Sequence, residues 1–198
     1  NIAIGYDALS ANTTGSASVA IGKEALKVST ASNNTAVGRV ALTANTTGNY
    51  NTAIGDGALD ANTTAANNTA VGHEALSANT TGTQNIAVGA AALDANTTAN
   101  NNVGVGYAAL TDNTTGASNI AIGKNALANN TTASNNVAMG TDALETNTTG
   151  AGNVAVGKDA LNANTTASNN VAVGLDALTA NTTGTDNVAI GRASLQAN

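Results

Sequence analysis

The sequence predicts an all-β protein, a parallel β-solenoid of about twelve coils in which each coil is one 17-residue repeat. This unit, N-[ITV]-A-[IV]-G-x-x-A-L-x-x-N-T-T-[GA]-x-x, recurs along the whole chain, and Asn1 is position 1 of its first copy. Gly stands at position 5 and Leu at position 9 of every copy. A unit this short must stack on its neighbours to bury an apolar face. Residues 1–198 are therefore interpreted as a single repeat array, and we expect it to be a segment of a longer fibrous protein.

The strand of each copy is predicted at positions 2 to 4. Position 2 is Ile, Val or Thr, position 4 is Ile or Val except for Met139, and position 3 is Ala except for Gly104. This alternation places positions 2 and 4 on one face of the strand and position 3 on the other. We expect positions 4 and 9 to be the most buried, as with Val88 and Leu93. The Gly at position 5 ends the strand, because of a positive φ or a very close neighbour.

A second apolar pair, Ala-Leu at positions 8 and 9, predicts a second short strand in each coil. The remaining positions, including the N-T-T triplet, are typical of turns. The alternative is a short helix after the strand, as in leucine-rich repeats. That helix would bury only Ala and Leu, and so short a repeat leaves little room for a strand, a helix and two loops.

Two irregularities interrupt the repeat. The copy that begins at Ser18 is one residue short, since Ser29 and Thr30 follow Val28 and the Asn of the triplet is missing. Position 15 alternates between Gly and Ala, which doubles the period. Either consecutive 17-residue coils see different neighbours, or one 34-residue coil contains two half-turns. We expect one 17-residue copy per coil, because each copy holds a complete strand and a complete turn.

The composition argues against several classes of function. The chain has no Cys, which excludes disulfide staples and thiolate metal sites. The net charge of −6 disfavours a nucleic-acid partner, and no apolar run approaches the length that spans a membrane. His73 is the only His and is predicted to be a surface residue, and charges at positions 6 and 7 are interpreted as a solvated edge rather than a calcium site. We therefore expect no enzymatic activity, no cofactor and no metal.

The N-T-T triplets form the candidate surface ladder. A structural interpretation is that Asn amides ladder along the stack while Thr hydroxyls cap turn amides. A second interpretation is glycosylation, since each triplet is an N-x-T acceptor. A third is a Thr array that binds a glycan or ice. The candidate residues are Asn45, Thr46, Thr47, Asn79, Thr80, Thr81, Asn113, Thr114 and Thr115.

Columns of Ala at positions 3 and 8 suggest contact with other chains. Two or three aliphatic side chains per coil are a thin core against a backbone-ordering cost of about 1–2 kcal/mol per residue. Small residues permit a neighbouring backbone to approach closely. We therefore expect a homo-oligomer, a trimer or a filament, with an inter-chain column at position 3. The candidate column consists of Ala53, Ala87, Ala121 and Ala155.

The strand motif followed by x-x-A-L resembles the head repeats of trimeric autotransporter adhesins of the YadA type. It occurs as S-V-A-I-G at 18–22, N-I-A-I-G at 119–123 and N-V-A-I-G at 187–191. The chain is also similar to the N-T-x-I-G … N-T-T-G repeats of bacterial surface proteins and phage tail-fibre-like proteins. The resemblance implies a left-handed parallel β-roll, three chains side by side, and attachment at a cell surface. The repeat here is longer than is common in that family, and the additional residues fall in the N-T-T turn.

These observations together predict a non-enzymatic, extracellular fibre segment. It would act as a stalk, spacer or attachment surface on a cell or virion, with other copies of itself as partner and a host-surface or matrix glycan or protein as a further one. No nucleic acid and no membrane insertion are expected. The alternatives are a repeat ladder that binds a glycan or ice through Thr columns, and a glycosylated structural filament.

Overall fold

The computed structural model describes residues 1–196 and contains twelve strands, each three residues long, with one strand in each copy. In chain order the strands are β1 Ile2–Ile4, β2 Val19–Ile21, β3 Thr35–Val37, β4 Thr52–Ile54, β5 Thr69–Val71, β6 Ile86–Val88, β7 Val103–Val105, β8 Ile120–Ile122, β9 Val137–Met139, β10 Val154–Val156, β11 Val171–Val173 and β12 Val188–Ile190.

All twelve strands pair in parallel and lie in one sheet in sequence order. Each residue sits above the equivalent residue of the next copy, so that Ala53 pairs with Ala70. The N–H of Gly89 donates to the carbonyl of Val71 in the preceding coil at 2.8 Å. Each coil is therefore one 17-residue copy, and the prediction of an all-β parallel solenoid is confirmed.

The prediction of two strands per coil is wrong. The Ala-Leu pair lies in a turn, in which positions 7 and 9 have positive φ, as with Ala91 at 54° and Leu93 at 53°. A left-handed backbone cannot continue a strand. The turns nevertheless stack, because the N–H of Leu93 donates to the carbonyl of Ala109 in the next coil at 3.0 Å. Coil-to-coil hydrogen bonding thus extends beyond the sheet.

The core consists of Ala at positions 3 and 8 and Leu at position 9, which are fully buried through most of the array. Position 9 is buried as predicted. The expectation for position 4 is wrong, since Val88 is 36% exposed and Ile122 is 37% exposed. The interior is too narrow for them: a Cβ built on Gly104 would already lie 3.3 Å from Cγ of Leu93. The sheet therefore turns its small side chains inward and its β-branched side chains outward.

Positive φ at Leu is an unusual feature of this core. A non-glycine residue in the left-handed region costs about 1–2 kcal/mol, and burial of a Leu side chain contributes about 1.5–3 kcal/mol. Burial of the leucine therefore outweighs the strain at this position. Position 7 is mostly Asp, Asn, Glu, Gly or Ala, but Val40 has φ of 52° there, which is an outlier for a β-branched residue.

The corner after each strand requires glycine. Gly89 has φ of 137°, and a Cβ on it would lie 2.3 Å from the carbonyl oxygen of Gly106 in the next coil. Both the backbone conformation and the close approach exclude a side chain. The two features expected of position 5 are thus present together.

Candidate functional site

The Asn of the N-T-T triplet lies inside the solenoid. Asn45, Asn79 and Asn113 are fully buried, so the Asn members of the candidate surface ladder are not on the surface. The side-chain amide of Asn79 donates to Oδ1 of Asn62 at 3.0 Å and to the carbonyl of Gly82 at 3.0 Å. The triplet thus supplies a buried amide ladder that runs along the stack, as the structural interpretation expected.

This burial argues against glycosylation of the triplets. A glycan would be attached to Nδ2, the atom that makes both hydrogen bonds of Asn79. Nδ2 is also fully enclosed, because the whole residue has no exposed surface. A modified triplet is therefore incompatible with the folded coil.

The two Thr residues of each triplet have different surroundings. The first, for example Thr80, is half-buried and donates its hydroxyl to the carbonyl of Thr97 in the next coil at 3.1 Å. The second is exposed in every full copy, including Thr47, Thr81 and Thr115. Thr46 and Thr114 donate to the next coil as Thr80 does, at 3.0 Å each. Thr46 is nevertheless exposed, so the outward part of the candidate ladder is the column of Thr at position 14 together with Thr46.

A second Asn ladder, at position 1, was missed by the sequence analysis. The amide of Asn85 donates to the carbonyl of Ala99, fourteen residues on, at 2.8 Å and so closes its own coil. The backbone N–H of Asn85 donates to Oδ1 of Asn68 at 2.9 Å. The signal was present in the sequence, since Asn begins every copy except the one that begins at Ser18.

The short copy keeps both ladders by using Ser. Ser29 is buried in the Asn position, where its Oγ accepts from Nδ2 of Asn45 at 3.2 Å and from the N–H of Ala31 at 3.3 Å. Oγ of Ser18 likewise accepts from the N–H of Asn34 at 3.2 Å. The residue that this copy lacks is therefore one of the two Thr, and the expectation that the Asn position is missing is corrected.

The candidate inter-chain column is inside the chain. Its four Ala residues have no exposed surface in a single chain, so they line the narrow interior and cannot contact another copy. The Ala residues at position 8 are enclosed in the same way, except for Ala8 in the first coil, which is half-buried. The four residues are Ala53, Ala87, Ala121 and Ala155.

The surface that faces solvent on the sheet is apolar. We call the outward side chains at positions 2 and 4 of β1 to β12 the apolar stripe, in which every residue is Ile or Val except Met139 and three Thr. Ile86 is 42% exposed and Ile120 is 38% exposed. Twelve strands at about 4.8 Å make the stripe roughly 55 Å long, and a width of about 10 Å gives it roughly 500 Å². A patch of this size is near the upper end for a soluble monomer.

Polar residues border the apolar stripe along the chain. The cationic edge, at position 6, has five positive residues and one acid, with Arg39 and Asp56 forming an ion pair at 3.0 Å. Six further acids stand beside it at position 7, and one of them, Asp159, pairs with Lys158. The amide edge, at position 17, carries six Asn or Gln residues. The positive residues are Lys23, Arg39, Lys124, Lys158 and Arg192, and the amides are Asn33, Asn67, Gln84, Asn101, Asn135 and Asn169.

The acidic residues do not build a metal site. Burial raises the pKa of Asp60, and the charges of Asp94 and Glu74 raise it further against the opposing effect of backbone hydrogen bonds. His73 is exposed and lies 3.5 Å from a carboxylate oxygen of Glu74. Within residues 1–196 there is no group of three or more potential metal ligands and no pocket. The same residues include no helix that could cross a membrane.

Comparison of the chain with protein-family models, with curated proteins and with solved structures gave no match. The inference of function therefore depends on the buried ladders, the apolar stripe and the Thr column.

Proposed function

We propose that this chain is a non-enzymatic segment of an extracellular fibre, and that it assembles with other copies of itself through the apolar stripe. The observation that carries the proposal is a long row of outward Ile and Val, half-buried or exposed, on a fold whose interior is already closed. A rod that stays alone has no physical reason to keep such residues in water, where polar side chains favour solubility. A rod that packs against another gains by burying them.

The internal hydrogen bonding suits a spacer. Each full coil is closed by its position 1 Asn and joined to the next by two amide ladders, so the rod needs no ligand to hold its shape. Every added copy lengthens it by about 4.8 Å. Length is therefore set by copy number, which suits a stalk that holds an attachment surface away from a cell or virion.

The edges of the stripe favour parallel copies. When two stripes face each other with their chains parallel, the cationic edge of one copy meets the amide edge of the other, where amide oxygens accept from Lys and Arg. An antiparallel arrangement instead brings like edges together, so that Lys and Arg face Lys and Arg and lose these amide acceptors. With both edges included, a contact about 15 Å wide and roughly 55 Å long covers about 800 Å² per chain, as in a stable interface. The same meeting of unlike edges arises when three parallel chains turn their stripes to one axis, which is the arrangement of the trimer that we expect.

Sedimentation of the wild-type chain and two double variants tests the proposal. Val88→Lys with Ile122→Lys places charge on the stripe, and we expect it to be monomeric with an unchanged circular dichroism spectrum. Thr81→Lys with Thr115→Lys, on the exposed Thr column of nearby coils, is the matched control and should remain oligomeric. A wild-type chain that sediments as a monomer at all concentrations would overturn the proposal.

The exposed Thr column supports a second candidate function, which is binding of a glycan or ice surface. Ten Thr residues at position 14 are exposed, and the nine from Thr47 to Thr183 follow one another at the coil spacing. Substitution of Thr81 and Thr115 by Val keeps the shape and removes two hydroxyls. If the column binds, this double variant should lose retention on a glycan array or inhibition of ice recrystallisation while its sedimentation stays unchanged. Equal activity of the variant and the wild type would exclude the column as a binding surface.

A further inference from the structure

The apolar stripe has one polar interruption in its position 2 column. Thr35, Thr52 and Thr69 stand there in β3, β4 and β5, where the nine other strands have Ile or Val. The three are stacked in register, and each is half-buried. Within the described part of the chain, none of their hydroxyls makes a hydrogen bond. On an isolated rod these hydroxyls are satisfied by water.

Assembly through the stripe changes the surroundings of these hydroxyls. Packing removes them from water, and a buried hydroxyl without a partner is unfavourable. A hydroxyl both donates and accepts, so another hydroxyl is a suitable partner, directly or through a bridging water. All the other outward side chains of the stripe are those of Ile, Val or Met, which offer no such group beyond the weak thioether. The partner groups that a second stripe can supply are therefore its own three Thr residues.

The rest of the stripe does not define an axial position. Because its residues repeat with every coil, a shift of one copy along another by one coil buries almost the same apolar area. Such a surface specifies register weakly, and a polar residue in an apolar seam is a known way to specify it at some loss of stability.

We propose that Thr35, Thr52 and Thr69 set the axial register between copies of this chain. The inference rests on the proposed function, since it takes the apolar stripe as the contact and a second parallel copy as its occupant. With the position 2 column of every copy turned to the common axis, the hydroxyls of copies in register lie together at one level of the fibre. A shift of three or more coils places every one of them against Ile or Val.

Antiparallel pairing is disfavoured by the same residues. With full overlap, an antiparallel copy would place β8, β9 and β10 opposite β3, β4 and β5. The position 2 residues of those strands are Ile120, Val137 and Val154, which leave the three hydroxyls unpaired. This argument does not depend on the residues along the edges of the stripe, and it also favours the parallel arrangement.

Distances between spin labels in the assembled protein test the register. The chain has no Cys, so Tyr107→Cys, at a residue 59% exposed, gives a single labelling site in each copy. The test variant adds Thr35→Val, Thr52→Val and Thr69→Val, which keep the β-branched shape and remove the hydroxyls. The matched control moves the three hydroxyls by adding Val137→Thr, Val154→Thr and Val171→Thr to the test variant.

We expect one narrow distance distribution in the parent and in the control. In the test variant, axial shifts in steps of about 4.8 Å combine with the lateral separation of the labels, so we expect a broader distribution that extends to longer distances at unchanged oligomer mass. A narrow distribution in the test variant, identical to that of the parent, would overturn the register inference and leave the proposed function standing. A broad distribution in an oligomeric parent would also overturn it. A monomeric parent would instead remove the proposed function and the inference with it.

Discussion

Gly116→Ala is the most informative single substitution at the corner that follows the N-T-T triplet. Gly116 is buried at position 15, where alternate copies carry Ala. A Cβ added there would lie 2.2 Å from the carbonyl oxygen of Ala133 and 2.5 Å from Oδ1 of Asn113. The φ of Gly116 is outside the left-handed region, so the effect of the substitution is steric.

The neighbours of this Cβ cannot move without loss. One is backbone of the next coil, and the other accepts the ladder hydrogen bond from Asn130 at 2.8 Å. Overpacking costs about 1–3 kcal/mol, and a buried amide left without its partner costs a further 1–3 kcal/mol or so. Because the Cβ must move by about 1 Å to reach ordinary contact, both terms apply, and we expect a loss of roughly 2–6 kcal/mol.

Ala133→Gly is the matched control, at the same position of the next coil. It removes a buried methyl, worth about 0.8 kcal/mol, and adds the entropic cost of Gly, about 0.5–1 kcal/mol. We expect it to lose roughly 1–2 kcal/mol on the same principles. Guanidinium unfolding followed by circular dichroism measures both variants. Hydrogen exchange of the amides from 113 to 117 locates the damage, since a repeat array frays locally. If Gly116→Ala is no less stable than Ala133→Gly, the steric account of the alternation is wrong.

Three further predictions concern strain, charge and copy number. Val40→Asn should stabilise the fold by about 1 kcal/mol in denaturant unfolding, because Asn tolerates the left-handed backbone region better than Val does. Asn125 already stands at the equivalent position of another copy, and an unchanged unfolding midpoint would contradict this prediction. Asp60→Asn should be more stable than the wild type at neutral pH, because the raised pKa of Asp60 means that the fold disfavours its charged form. This difference in stability should close in acid as the carboxyl is protonated, and a difference that grows in acid would contradict the raised pKa of Asp60. Deletion of residues 102–118 places two Ala copies next to each other, whereas deletion of residues 102–135 removes more protein but preserves the Gly/Ala alternation. The first deletion should lower the melting temperature more than the second, and the opposite order would contradict the requirement for alternating Gly and Ala copies.

The sequence was sufficient to predict the coil length and the strand. A strict repeat forces equivalent residues to stack, so the 17-residue period and the parallel pairing follow directly from it. The 34-residue period is also present in the structure, at the corner that follows the N-T-T triplet. In the copy with Gly116, the N–H groups of both Thr114 and Thr115 donate to the carbonyl of Thr131. In the next copy, which has Ala at this position, only the first Thr of the triplet, Thr131, donates its N–H to the following coil. Consecutive 17-residue coils therefore see different neighbours, as the first of the two alternatives stated.

The side of the strand that faces inward could not be predicted from the alternation. The pattern shows that Ile120 and Ile122 share a face and that Ala121 has the other, but it does not show which face is buried. That choice depends on the width of the interior, which is set by the left-handed turn at Leu127 and by the Asn ladders. Sequence patterns give no measure of this width, and the usual preference of large apolar residues for the core led to the wrong face.

The hydrogen bonds between coils have a mechanical consequence. Outside the strands, seven backbone and three side-chain hydrogen bonds join the coil that begins at Asn85 to the coil that begins at Asn102, whereas the chain itself passes between them only once. Tension along the rod therefore loads at least these ten bonds together at each level, in addition to those between the strands. When a coil at one end yields, its 17-residue segment extends to about 58 Å in place of about 4.8 Å, while the coils behind it stay intact. A pulled fibre should thus lengthen in discrete steps, each dissipating work, and its force–extension curve should show a regular sawtooth with one tooth for each copy.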